Sequence, residues 1–267
     1  MAGAPPLRSS FSDDARLAAE VAELAGEVLL SVRRALADAE PERRGAEGDR
    51  RAHELICVLL AAARPGDAVL SAEGAADRSR LDAARVWIVD PLDGTREFGE
   101  PGRDDWAVHV ALWADGGLAA GAVALPAQGR TLTTDPAPVV QPPGPGARPR
   151  IVVSRSRPPA FVAPVAEALG AVVVPLGSAG AKTMAVVRGQ ADAYVHAGGQ
   201  FECDSAAPAA VALAAGLHVS RIDGSPTVYN RPDPTLPDLL VCRPELAAPL
   251  LELIGRHTSS IEGRQLE

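Results

Sequence analysis

Aromatic residues are scarce in this 267-residue chain: Phe, Trp and Tyr together make up 3%. A core with so few rings must be filled by Ala, Val and Leu, and a ligand site has few ring faces on which a base can stack. Cysteine is nearly missing too. Cys57, Cys203 and Cys242 lie far apart, leave one thiol over in any bridging scheme and lack metal-ligand spacing, so reduced thiols are expected in place of a disulfide scaffold. Positive charge is in deficit, with 26 Lys and Arg against 34 Asp and Glu and a formal net charge of −8. A basic patch for nucleic acid or an anionic membrane is therefore not expected. No apolar run is long enough to span a bilayer, and residues 1–12 lack the apolar centre of a secretory signal. A soluble cytoplasmic protein is anticipated.

What is present is globular in kind. With 47% hydrophobic and 22% charged residues, the chain can bury one large core or two abutting ones. Apolar residues at three- and four-residue steps (Leu17, Val21, Leu24, Val28, Leu29) predict a helix over about 12–37 with Ser12 as its cap, and a second is predicted over about 49–63 with Asp49 able to cap it. Strands are predicted at 68–70, 86–89, 106–113 and 118–125, the last two joined by the hairpin signal Asp115-Gly116-Gly117. Residues 135–150 turn to Pro and Gly and read as a linker that ends a first half, 1–134. Strands and helices then alternate (151–153, 159–169, 172–176, 179–187, 193–196, 205–215), which predicts an α/β second half over 151–258. The tail 259–267 contains Ile261-Glu262-Gly263-Arg264, the recognition sequence of a tag-removal protease, and is set aside from fold reasoning.

The chemistry concentrates in Asp90-Pro91-Leu92-Asp93-Gly94-Thr95, just after the apolar run 86–89. Pro91 cannot donate to a ladder, so the strand is expected to stop where the carboxylates begin. Two aspartates with the Leu92 carbonyl make a partial shell of hard oxygen donors for a cation such as Mg²⁺, and Gly94 lets a backbone approach a phosphate closely. A plain solvated turn is the competing reading. Asp204, before the Ala-rich helix, is either an N-cap or a further metal ligand.

The motif 90–95 resembles the first metal motif of the inositol monophosphatase and bisphosphate nucleotidase superfamily of Mg²⁺-dependent phosphatases. Phe201-Glu202-Cys203-Asp204-Ser205-Ala206-Ala207-Pro208 resembles its downstream motif, and Glu47-Gly48-Asp49-Arg50-Arg51-Ala52 its aspartate-bearing helix start. The stretches 95–98, 101–106 and 177–182 look most like the actinobacterial CysQ type, which acts on 3'-phosphoadenosine 5'-phosphate. The resemblance implies an α+β to α/β, layered α-β-α-β-α sandwich with a site between its halves, two or three Mg²⁺ ions, a small phosphorylated metabolite as substrate, and often a homodimer. It implies metal ligation by Asp90, Leu92 (carbonyl), Asp93 and Asp204, with support from Asp49, and a water oriented by Thr95. Substrate contacts are implied for Gly94, Thr95, Arg96, Gly177, Ser178, Lys182 and Glu202, with Arg103 and Tyr229 as further candidates. Lys182 as a merely solvated helix residue stays open.

Two departures accompany the resemblance. The family usually shows paired glutamates upstream, whereas this chain reads Ser71-Ala72-Glu73-Gly74, leaving Glu73 as the candidate metal ligand and water-activating group. Cys203 stands where an aromatic usually precedes the helix aspartate. The five histidines are scattered and read as structural or exposed. The expected activity is removal of the 3'-phosphate from 3'-phosphoadenosine 5'-phosphate. Inositol-1-phosphate or fructose-1,6-bisphosphate hydrolysis, and a phosphometabolite-binding protein with weakened catalysis, are the alternatives.

Overall fold

The computed structural model of the chain describes residues 14–71 and 78–262. It opens with α1 (Asp14–Ala35), which buries Leu17, Val21, Leu24, Leu29 and Val32 on one face, as the spacing predicts. Helix α2 (Pro41–Ala63) begins well before the expected Asp49. Proline suits a first helical turn because its missing N–H is not needed there. The added turns bury Arg44, Gly45 and Gly48, residues that hydropathy does not flag. Arg44 is held inside by donating to the carbonyls of Leu36, Ala37, Ala39 and Gly99. Asp49 is consequently an interior helix residue, and its reading as a cap is corrected.

The first sheet runs in chain order: β1 (Ala68–Ser71), β2 (Arg85–Asp93), β3 (Ala107–Ala114), β4 (Gly117–Leu125) and β5 (Arg130–Thr133). Only β1 and β2 are parallel. A short helix, α3 (Thr95–Gly99), leaves the end of β2. The stretch 134–149 carries no helix or strand. Beyond it come β6 (Arg150–Ser154), α4 (Val162–Leu169), β7 (Val172–Leu176), α5 (Ala179–Val187), β8 (Ala193–Phe201), α6 (Glu202–Ala214), β9 (His218–Ser220), β10 (Thr235–Cys242) and α7 (Pro244–Glu262). The second sheet has the order β7-β6-β8-β10-β9, parallel on the β6 side and antiparallel at β10.

Side chains of a strand alternate between faces, and here that alternation builds the layers. On β2, Trp87 and Val89 join Leu17, Val21 and Ile56 of the outer helices in one core, whereas Val86 and Ile88 join the α5 and α6 residues Met184, Ala206 and Ala207 in another. That middle core continues through Tyr194, Leu239 and Val241 onto the second sheet, whose far face packs Ile151, Val153 and Leu240 against α4 and α7. The order is α-β-α-β-α. Among the described residues no helix is long and apolar enough to cross a membrane.

Small residues set how close the middle layer sits. A Cβ at Gly121 on β4 would lie 2.9 Å from the Ala210 Cβ and 3.5 Å from Ala207 of α6. Replacing Gly121 with Val forces β4 and α6 apart, an overpacking cost of about 1–3 kcal/mol. Urea unfolding of Gly121→Val is expected to show a lower midpoint at unchanged slope, and an unchanged midpoint contradicts this account of the packing.

Candidate active site

The strand expected to end before Asp90 continues through Pro91 to Asp93. In the β2–β3 ladder Asp90 pairs with His109 and Asp93 with Ala107, so three steps along β2 oppose two along β3. This is a one-residue bulge. In a regular strand positions 90 and 93 point to opposite faces; the extra residue restores them to the same one, and Pro91 sits where a ladder N–H is not required. Gly94, with φ 87°, then turns the chain into α3.

Each aspartate spends one oxygen on structure. Asp90 Oδ1 accepts from the Leu92 N–H at 3.1 Å. Asp93 Oδ2 accepts from the Ser178 hydroxyl and from the Gly180 N–H at 2.7 Å. Asp204 lies inside the first turn of α6, not before it, and its Oδ2 accepts from the Phe201 N–H at 2.6 Å. Metal ligand and N-terminal stabiliser are thus compatible roles, because one carboxylate has an oxygen for each.

The electrostatics describe a cation-seeking centre. Ligand atoms of Asp90, Cys203 and Asp204 lie within 4.8 Å of one another. Burial, and then the charges of Asp93, Asp204 and Asp49, hold the Asp90 carboxyl well above its ordinary value, against the pull of His109. Asp204 is pushed up to about 6 by burial and by Asp93. Burial would raise Asp93 too, but the bond and charge of His109, the Lys182 ammonium and the Ser178 hydroxyl outweigh it and hold Asp93 low. Burial also keeps the Cys203 thiol protonated. The remaining donors are hard carboxylate oxygens that repel one another in a dry setting, which fits Mg²⁺ and not a thiophilic ion.

A cavity of about 310 Å³ opens over these groups, lined on one side by Asp93, Gly94, Thr95 and Arg96 and on the other by Gly177, Ser178, Lys182 and Asp204. Thr95 Oγ1 donates to the Leu92 carbonyl at 3.2 Å. Lys182, expected as a phosphate cation or a solvated residue, is 4% exposed and donates to the carbonyls of Gly177 (3.2 Å) and Ser178 (2.7 Å). It fastens the loop before α5 while its charge still reaches Asp93 and Asp204. The Gly177 N–H is committed to Asp105 Oδ2 at 2.6 Å, so it is not open to a substrate oxygen.

Other expected contacts fall elsewhere. Glu202 is fully buried off the cavity, its carboxylate accepting from the N–H groups of Asn230 (2.7 Å) and Arg231 (2.9 Å), so its reading as a substrate contact is corrected. Tyr229 bonds Ser205 and Arg103 bonds Asp105, neither lining the cavity. Glu73 lies outside the described residues.

His109 is the group the sequence reading passed over. It is fully buried on β3, with Nδ1 3.1 Å from the Cys203 carbonyl and Nε2 3.2 Å from Asp93 Oδ2. Burial alone lowers an imidazole, yet Asp93, Asp90 and the Cys203 carbonyl together push it up to about 9. The signal was an imidazole inside an otherwise apolar buried strand, where a polar group must have a partner. Tyr194, His196 and Gln200 also line the cavity without having been singled out.

With this geometry in hand, the comparisons with known proteins agree. The chain is 52% identical over 257 residues to a 3'-phosphoadenosine 5'-phosphate phosphatase of Mycobacterium leprae, covering 90% of this chain and 93% of that one. It is 34% identical to the 3'(2'),5'-bisphosphate nucleotidase CysQ of Escherichia coli K12 over 68% of this chain and 78% of that one. Among solved structures, CysQ from Bacteroides thetaiotaomicron superposes with a TM-score of 0.72 at 26% identity, covering 88% and 98% of the two chains. An inositol monophosphatase from Zymomonas mobilis shares the fold with a TM-score of 0.73 at 22% identity, covering 93% of this chain and all of that one. The profile of the inositol monophosphatase family matches residues 12–258, and the chain belongs to that family.

Proposed function

We propose that the chain is a Mg²⁺-dependent phosphomonoesterase that removes the 3'-phosphate of 3'-phosphoadenosine 5'-phosphate, giving AMP. The observation that carries this reading is the convergence of Asp90 and Asp204 beside Asp93 under a cavity of substrate size, in a chain half identical to phosphatases named for that substrate. Its three thiols are unpaired, in keeping with action in the cytoplasm.

Asp90, Asp93 and Asp204, with the Leu92 carbonyl and Asp49 behind them, would hold the ions. Divalent cations seated there supply a water of lowered pKa and offset charge on the phosphoryl group. Two or three ions are expected. The carboxylates outnumber the cationic His109 and Lys182 that face them, and a phosphate ester adds negative charge that divalent ions would offset. The Thr95 hydroxyl donates its hydrogen bond to the Leu92 carbonyl, which leaves its lone pairs to accept from the attacking water and aim it. Water adds to phosphorus and gives up one proton to solvent, the bond from phosphorus to the 3'-oxygen breaks, and the departing oxygen takes a proton from solvent. Arg96, exposed beside Thr95, supplies positive charge at the reacting phosphate.

Chelation with EDTA is expected to abolish phosphate release, and Mg²⁺ to restore it; turnover that survives chelation overturns the metal assignment. Asp93→Asn and Asp204→Asn separate ligand from scaffold. Both are expected to lose at least about a hundredfold in kcat/KM on 3'-phosphoadenosine 5'-phosphate, about 2.7 kcal/mol of transition-state stabilisation. In EDTA their melting temperatures should diverge. Asp93→Asn removes the anion that His109 and Lys182 face, leaving buried positive charge unpaired, and falls, by about 1–3 kcal/mol of stability. Asp204→Asn removes a buried like charge, keeps an oxygen for the Phe201 N–H, and stays level or rises. Equal losses of stability would argue against the division of roles.

A further inference from the structure

Two buried glycines lie in the early turns of α2, where alanine would favour the helix more, so each asks for a reason. Gly48 has one in packing: a Cβ there would lie 3.0 Å from the Phe98 ring and 3.1 Å from Leu29 Cδ2. Gly45 faces the residue assigned to the attacking water. A Cβ on it would lie 2.5 Å from Thr95 Cγ2, whereas the next atoms, the Thr95 carbonyl oxygen at 3.6 Å and Thr95 Cβ at 3.9 Å, are at ordinary contact distance. Two carbons rest about 3.5–4.0 Å apart, so a side chain at position 45 must push the Thr95 methyl by about 1 Å.

Threonine carries its methyl and its hydroxyl on one carbon, and the two turn together about a single staggered torsion. In this structure the methyl rests against Gly45, while the hydroxyl donates to the Leu92 carbonyl at 3.2 Å beside the cavity. A displaced methyl therefore drags the hydroxyl with it. Helix α3 is not free to relieve the pressure by backing away, because its far end is clasped. Arg44 donates to the Gly99 carbonyl at 2.6 Å, and Arg33 donates to the carbonyls of Glu100 (2.6 Å) and Arg103 (2.8 Å). Gly99 itself lies so near α2 that a Cβ on it would come within 3.0 Å of Pro41.

We propose that Gly45 is a positioning residue: its lack of a side chain gives the Thr95 methyl a fixed seat, and that seat sets the direction in which the Thr95 hydroxyl meets the attacking water. The assignment rests on the phosphatase reading above. A reacting group misplaced by about 1 Å costs roughly a hundredfold in rate, and the loss falls on the chemical step because the groups that bind substrate stay where they are.

The test is a cycle of Gly45→Ala, Thr95→Ser and the double variant, with Thr95→Ala beside it, assayed with Mg²⁺ on 3'-phosphoadenosine 5'-phosphate and on p-nitrophenyl phosphate. Gly45→Ala is expected to lower kcat about ten- to hundredfold with KM within about threefold of wild type. Thr95→Ser keeps the hydroxyl and loses the methyl that seats it, so kcat should fall about three- to tenfold, and adding Gly45→Ala should then change it by less than about twofold. An equal fall with and without Thr95→Ser, no fall in Gly45→Ala, or a loss carried by KM overturns the proposal. Should Gly45→Ala not fold, Thr95→Ser alone decides: a fall in kcat at constant KM upholds the seat, and wild-type turnover overturns it. Thr95→Ala tests the phosphatase reading separately. Undiminished turnover there removes Thr95 from the reaction and the proposal with it, whereas a loss in Thr95→Ala with none in Gly45→Ala leaves that reading standing and sinks the proposal alone.

Discussion

Several carboxylates are held close together and largely buried, and most of the local architecture answers their repulsion. Burying an ionised group is costly unless charge or hydrogen bonds compensate. Compensation comes from three directions. His109 comes up from β3, Lys182 from the first turn of α5, and backbone N–H groups from Leu92, Gly180 and Phe201. None of these suffices alone, as the raised Asp90 and Asp204 carboxyls show, and the remaining imbalance favours a cation beside them.

Asp93 illustrates how tightly chemistry and fold are joined. It belongs to the first sheet, yet its outer oxygen starts α5, a helix of the middle layer, through Ser178 and Gly180. Ser178 itself has φ 49°, a backbone that non-glycine residues avoid, and it is kept there by that carboxylate and by the cap it makes to the Ala181 N–H. Across the cavity, Arg155 on the second sheet's side holds Glu97 and Glu100 of the α3 region. The site is a seam closed by polar contacts rather than a pocket carved from apolar packing.

Much of this was legible in the chain itself. Strand β7 and helix α5 fall where alternation and periodicity put them, and Asp90 of the 90–95 motif lies close to Asp204. Three things were not legible, each for a definite reason. The bulge hid because proline usually ends a strand, and only ladder register reveals that Pro91 sits at an irregularity. The early start of α2 hid because Arg44, Gly45 and Gly48 do not look like a buried stripe until the partner carbonyls of Arg44 are known. Glu202 and His109 exchanged importance because the sequence gives residue type but not direction: the carboxylate beside Asp204 turns inward to Asn230 and Arg231, while the imidazole in an apolar strand faces the aspartates.

The volume occupied by His109 has a further consequence for how this centre can change over time. A methyl group placed on Gly180 would come within 2.1 Å of the His109 Nε2, so position 180 tolerates no side chain while the ring is present. Positions 109 and 180 therefore form a size-exchange pair. Loss of the imidazole would open room for a larger residue at position 180, so a side chain there becomes tolerable only after the ring is gone.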